Sequence, residues 1–452
     1  MVKNLNLYIK NFLPLTFITS VFYILIYNSL HYDPILGYDA EAHYAYIDTL
    51  SRYLPRRIRI PTSDETREFF NPPIAYVFPA IIQVFCRNLS NSVNLLKSCQ
   101  PIYGNIGQII QSFLYIITIA INLKTLKLVL NNNRFSFSYI ILTSMLAVNY
   151  RTISMIRGEI YILFFMSLLM LSIVRFENKA FIISNKEVFI FGVLIGCLGL
   201  SRQWAFLLFP SLILYFIKCD KKVRRDYFSF LSKSFMVGFV ISGWFYFINL
   251  FRYGSFIAFN MPPTNEGYFD RLRSLLSLEG VGTNIFSNPI RPYFKNQFFP
   301  ILYSDTWGDY WGYFTFTSRF LDIGLGQENI GSYLGRVNLV STFTFVILLI
   351  GTFKSYKQIS NKALVFFIKY SILFSLLGYL WFVLGYPTRS GDTIKSTYLI
   401  QMFNLMTFIT AIFLDRLKNN RIYISLISIL LIIYAHNFLS FLSKFPIGFP
   451  NS

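Results

Sequence analysis

Read from the amino end, the chain alternates long apolar runs with short polar breaks. The runs fall near 12–30, 101–123, 135–149, 158–174, 188–201, 203–217, 234–250, 338–353, 364–385, 396–414 and 422–440. An α-helix needs about 20 apolar residues to cross the hydrocarbon core of a bilayer, so each run is a candidate crossing. The pattern predicts an all-α polytopic membrane protein, one domain over 1–452 with about eleven transmembrane helices. One further apolar stretch, 73–86, is brief and opens at Pro72-Pro73, which predicts a helix lying in the interface.

Two breaks are far longer than helix connections require, 31–72 and 251–337. Long connections within a compact protein are usually functional. In the first, Asp39 suits a helix N-cap and Gly37 the turn before it. Ile47, Leu50 and Leu54 then share one face, with Glu41, Asp48 and Arg52 toward the other. This predicts an amphipathic helix on the membrane surface, ending at Pro55. Asp39 and His43, four apart, can face one point above the bilayer.

Composition sharpens the class. Hydrophobic residues make up 54% and charged ones 14%, against roughly 25% charged in a soluble domain. That excludes a soluble globule and a disordered chain. The formal charge of +20 reads as topology and not as a nucleic-acid footprint. With the N-terminus inside, the inner breaks collect Lys3, Lys10, Lys124, Lys127, Arg134, Arg175, Lys179, Lys186, Lys218, Lys221, Lys222, Arg224, Arg225, Lys233, Lys354, Lys357, Lys362, Arg416, Lys418 and Arg421. That is the positive-inside distribution, and it puts both long segments outside. The first run follows Lys3 and Lys10 without a small-residue cleavage site, as an uncleaved signal anchor would. Cys86, Cys99, Cys197 and Cys219 have no metal-ligand spacing and read as buried free thiols. Cys86 and Cys99 would pair only if both faced an oxidising compartment.

Candidate chemistry gathers on the outer side. Arg56, Arg57, Arg59 and Arg67 suit either a phosphate or lipid headgroups. Arg202 stands where two runs meet, and Lys395 and Tyr398 head a late run beside Arg389. A cation at those depths either serves a ligand or snorkels. The second long segment carries Asp305-Thr306-Trp307-Gly308-Asp309-Tyr310-Trp311-Gly312-Tyr313. Such a mixture fits sugar binding by Asp305, Trp307, Asp309 and Trp311, or an aromatic belt at the interface. Lys369 is the main ionisable residue inside a run.

The order of first span, Gly37-Tyr38-Asp39 with His43 four residues on, a basic stretch, and Asn71-Pro72-Pro73-Ile74-Ala75-Tyr76 resembles the opening of GT-C membrane glycosyltransferases. It is most similar to the dolichyl-phosphate-mannose-protein mannosyltransferase-like and aminoarabinose-transferase-like group. Leu200-Ser201-Arg202-Gln203-Trp204 and Asp392-Thr393-Ile394-Lys395-Ser396-Thr397-Tyr398-Leu399 extend the likeness over most of the chain. Relatives often carry an adjacent Asp-Glu pair, whereas Ala40 here separates Asp39 from Glu41.

The resemblance implies a GT-C-like bundle with interfacial helices in the first outer loop. It also implies a polyprenyl-phosphate sugar donor and an acceptor hydroxyl on a glycan, lipid or protein. The site would face outward from a plasma (inner) membrane or the endoplasmic reticulum. Asp39 would be the general base, with Glu41 and His43 supporting it or holding a divalent metal. Arg202, Lys395 and Tyr398 would hold the donor phosphate. The competing classes are a transporter or flippase of lipid-linked glycan and a noncatalytic membrane subunit.

Overall fold

The computed structural model describes residues 2–34, 36–89, 95–130, 134–264, 267–314, 325–356 and 359–443. Lys357, residues 315–324 of the second long segment, and the side chains of Lys3, Lys10 and Arg134 lie outside the described residues.

Among the described residues every regular element is helical. In chain order the helices are α1 (Val2–His31), α2 (Ala40–Tyr53), α3 (Ile74–Leu89), α4 (Leu95–Val129), α5 (Arg134–Ser144), α6 (Ala147–Ser154), α7 (Glu159–Glu177), α8 (Asn185–Ser201) and α9 (Phe209–Lys218). They continue as α10 (Lys221–Tyr253), α11 (Tyr268–Leu276), α12 (Asn284–Ser287), α13 (Phe298–Trp307), α14 (Leu325–Ser355), α15 (Lys362–Gly385), α16 (Ile400–Asp415) and α17 (Asn420–Asn437). Eight are long and apolar enough to cross a membrane: α1, α4, α7, α10, α14, α15, α16 and α17. The chain is an all-α, multi-pass membrane protein. α16 is its axis, with 89% of its candidate span buried inside the protein.

The other three expected crossings are shorter. The 135–149 run breaks at Met145-Leu146 into α5 and the wholly buried α6. Asn149 Nδ2 donates to the Thr143 carbonyl at 3.3 Å and Tyr150 Oη to that of Ser144 at 3.0 Å. Side chains therefore satisfy the backbone that the break frees, as a break inside a membrane bundle requires. α8 has 17 residues, and α9 is preceded by a 3₁₀ turn, Gln203–Leu208. α8 and α9 meet in a tip at Arg202. α8 packs against α10 through Gly192, Gly196 and Gly238, where an added Cβ would lie 2.6–2.7 Å from Val237, Ile241 or Ile195. Small residues let two membrane helices approach this closely.

The basic loops gather at one end. The Glu177 carboxylate accepts the backbone N–H groups of Lys362 (2.8 Å) and Ala363 (2.9 Å), Lys362 pairs with Asp220 at 3.6 Å, and Asp415 accepts the N–H of Phe135 at 2.9 Å. The two long segments meet at the opposite end.

Three readings change there. The apolar face of α2 does not rest on lipid: Ile47 and Leu50 are buried in a cluster with Tyr76, Ala80, Tyr103 and Phe245. α3 takes the lipid side instead, exposing Phe78, Ile81 and Phe85. Cys86 and Cys99 are joined, their Cα atoms 6.1 Å apart, because α4 folds back beside α3; Cys197 and Cys219 are free. Finally, the 251–337 segment contains α11, α12, α13 and the start of α14, and α13 is almost entirely buried.

Candidate functional site

At the end opposite the basic loops lies a cavity of about 680 Å³. Its walls come from the start of α2, residues 67–71, the α8–α9 tip, residues 259–261, Arg291, Trp311, Tyr313, and the stretch from Thr388 to Tyr398. Four cations, Arg67, Arg202, Arg291 and Lys395, face four acids, Asp39, Glu41, Glu68 and Asp392, among Phe70, Trp204, Phe259, Trp311, Tyr313, Phe382 and Tyr398.

Asp39 occupies the N-cap position of α2, but not as a side-chain cap. Its backbone is left-handed, φ 53°, a conformation that Asp tolerates better than most residues. Its carbonyl accepts the N–H groups of Ala42 (3.0 Å) and His43 (3.1 Å). The carboxylate makes no cap hydrogen bond and turns into the cavity instead. There it meets Lys395 Nζ at 3.2 Å and Arg67 at 3.6 Å. The Lys395 charge, with smaller help from Arg157 and His43, holds the carboxyl well below the usual carboxylate range against the opposing effect of burial. Lysine, not the helix amides, keeps Asp39 ionised.

Lys395 Nζ also stands 4.7 Å from the Tyr38 ring centroid and 5.9 Å from that of Tyr398. The guanidinium of Arg202 lies 5.9 Å from the Tyr398 centroid. Tyr398 thus receives two cations, and Trp204 packs on it at 5.0 Å. Arg202 carries its own counter-charges, Glu159 at 3.1 Å and Glu68 at 3.6 Å. Gly158 makes that possible, because a Cβ there would sit 2.1 Å from the Ser201 carbonyl oxygen. Only glycine lets the start of α7 bring Glu159 so close to the end of α8.

The expected residues therefore divide. Asp39, Glu41, Arg202, Lys395, Tyr398 and Trp311 line the cavity together. His43 does not. It is 2% exposed, bonded through Nδ1 to Tyr76 Oη at 2.7 Å, with Nε2 3.9 Å from Glu68. Burial first, then the Arg157 and Arg202 charges, pushes its pKa well below the ordinary histidine range. Among the described residues no group of three or more His, Cys, Asp or Glu side chains assembles as a metal-ligand set. His43, held against Tyr76, does not join Asp39 and Glu41 in the cavity lining.

Asp305, Trp307 and Asp309, whose composition suits sugar binding, do not line the cavity. Asp305 accepts from Tyr38 Oη (3.1 Å) and from the N–H (2.7 Å) and Oγ (2.6 Å) of Ser396, and pairs with Arg151 at 3.2 Å. Asp309 accepts the N–H groups of Tyr313 (3.3 Å) and Phe314 (2.7 Å), with Arg151 at 3.7 Å. Arg151 also donates to the carbonyls of Asp305 and Gly308. This cluster fixes α13 against α6 and the 395–398 turn. Trp307 faces the other way, into an apolar groove. Of the first loop's basic run, only Arg67 reaches the cavity; Arg59 pairs with Glu65 at 3.0 Å, and Arg57 lies over Tyr53.

Arg151, Arg157, Glu68 and Arg291 stand in or near the cavity wall outside the sequence motifs. A signal existed for the first two. The positive-inside distribution would put Arg151 and Arg157 in a short outer connection, where a cation needs a buried partner. No family model and no curated protein matches this chain.

Proposed function

We propose that this protein is an integral membrane glycosyltransferase. It moves a sugar from a polyprenyl-phosphate donor to an acceptor hydroxyl on a glycan, lipid or protein, at the cavity end of the bundle. The observation that carries this reading is the Asp39 carboxylate, released from capping and held in a cation-rich, aromatic cavity with Lys395, Arg67 and Tyr398. The sequence motifs that resemble GT-C enzymes bring the same residues to that place. The Cys86–Cys99 bond between α3 and α4 suits a side facing an oxidising compartment, a periplasm or a lumen.

The acceptor oxygen attacks the anomeric carbon and the bond from that carbon to the phosphate oxygen breaks. The electron pair leaves with polyprenyl phosphate, and the hydroxyl proton passes to Asp39. While Lys395 pairs with it, Asp39 is a weak base. A donor phosphate draws Lys395 and Arg67 toward itself, so the leaving group gains counter-charge as Asp39 gains basicity. Tyr313 and Trp204, half-buried in the cavity wall, offer ring surface for a pyranose.

The test is purified protein with polyprenyl-phosphate sugar, reading released polyprenyl phosphate. Asp39→Asn is expected to cut turnover by about 10²–10⁴-fold with donor binding retained. Movement of the lipid between leaflets without cleavage would overturn the enzyme reading in favour of a flippase.

A further inference from the structure

The cavity leaves a second large space unused. Between α13, α14, α15 and α16 runs a groove of about 840 Å³ whose lining is almost wholly apolar, with Trp307, Phe345, Leu376 and Met402 among its walls. It reaches from α13, near the cavity end, to Tyr356 and Phe353 at the end of α14, near the basic end. Its one charged residue is Lys369.

Lys369 lies about two turns, roughly 10 Å, beyond Lys362 on α15. It is exposed, and among the described residues no carboxylate pairs with it; its ammonium stands 5.4 Å from the Tyr370 ring centroid. An uncompensated cation on the lipid side at that depth is costly and calls for an anion. The charge lies toward the basic end of the protein, where Lys354 and Lys362, outside the groove lining, are also exposed. A polyprenyl donor seated in the cavity would carry its phosphate at the far end, away from Lys369.

We propose that this groove is a binding site for an anionic phospholipid of the leaflet at the basic end. Its phosphate sits on Lys369 and its acyl chains run along Phe345 and Leu376 toward Met402 and Trp307. The site is independent of whatever reaction the cavity performs.

The test uses nanodiscs of phosphatidylcholine with a minor fraction of phosphatidylglycerol, followed by mass spectrometry of the lipid that stays with the protein on transfer to detergent. Wild type is expected to retain phosphatidylglycerol above its share of the disc. One lysine near an anionic headgroup is worth about a fivefold preference, so Lys369→Leu is expected to lower the enrichment by about that factor. Lys369→Gln gives the same readout should the leucine variant not fold. Leu376→Trp, which fills the groove and leaves the charge, is expected to lose the retained lipid as well. Enrichment unchanged in the Lys369 variants overturns the proposal. So does a wild type that retains no more phosphatidylglycerol than the disc contains. Protein isolated from its native membrane with polyprenyl phosphate in the groove, whatever stands at 369, also overturns it.

Discussion

Asp39 and Asp305 are both aspartates facing a cation at the cavity end, and both sit in polar, aromatic stretches of the two long segments. The side chain of Asp39 is 31% exposed, with two long, movable cations against it. That of Asp305 is 1% exposed, and both its oxygens are filled by Arg151, Tyr38 and Ser396. A carboxylate saturated with short donors cannot take a proton or a sugar hydroxyl without breaking its own network. One with exchangeable partners can. The difference separates a pin from a candidate catalyst, although the residue type is the same.

The largest expected effect is at the pin. Asp305→Ala leaves the buried Arg151 without its closest carboxylate, and breaking such a pair costs about 3–5 kcal/mol, a large part of a typical stability. The variant is expected to accumulate poorly and to unfold at a clearly lower temperature in detergent. A wild-type melting curve would show that Asp305 does not hold α13 in place. Asp39→Asn should do the reverse, losing turnover by about 10²–10⁴-fold with a smaller drop in melting temperature than Asp305→Ala shows. A variant that keeps more than about a tenth of its turnover, less loss than a general base should cause, moves the base elsewhere in the cavity, with Glu41 next to test.

Removing the cations should cost less. Lys395→Ala and Arg202→Ala are expected to reduce donor use by tens-fold or more, as for a charge pair worth about 2–5 kcal/mol, read as turnover at limiting donor. Arg202→Ala also strands Glu159 and Glu68, so it should lower stability more than Lys395→Ala does. Equal melting temperatures would break that distinction.

The smallest effect is on pH dependence. The Asp39 pKa is depressed in the folded protein, chiefly by Lys395. Its stabilising contribution is therefore present above the ordinary carboxylate value, about 3.9, and lost only as pH falls through the lower folded value. Activity that needs ionised Asp39 should show no acid limb from this group between neutrality and about pH 5. In Lys395→Ala the limb is expected to move up in pH, and a profile that does not move would detach Asp39 from Lys395. His43 acts separately. Its folded pKa lies below the ordinary value, so below about pH 6.5 the unfolded chain gains a proton that the folded chain refuses, and stability declines.

Much of this was legible along the chain. Apolar runs placed the crossings, because a bilayer demands about 20 apolar residues wherever a helix passes through it. Position after the first run and at the head of late runs marked Asp39, Arg202, Lys395 and Tyr398, and all four line one cavity. Elsewhere the local pattern and the fold part company for physical reasons. Asp305-Thr306-Trp307-Gly308-Asp309 has the composition of a sugar-binding loop, yet α13 turns Asp305 inward to Arg151 and Trp307 to the apolar groove. The amphipathic pattern of α2 states that one face is buried, and is silent on whether lipid or α3 buries it. Cys86 and Cys99 lacked any local sign that α4 would return beside α3.

The sequence by itself determined the solvent in which this protein folds, the helices that solvent enforces, and the segments left free for chemistry. These follow from properties that each stretch carries alone: its apolar length, its charge, its breaks. Only the tertiary structure decided which charges are spoken for. Lys395 reaches Asp39 across 356 positions of chain and Arg151 reaches Asp305 across 154. Whether a carboxylate is a base or a pin depends on the distance, number and burial of such partners. No local pattern encodes those quantities, because they exist only once distant helices have packed.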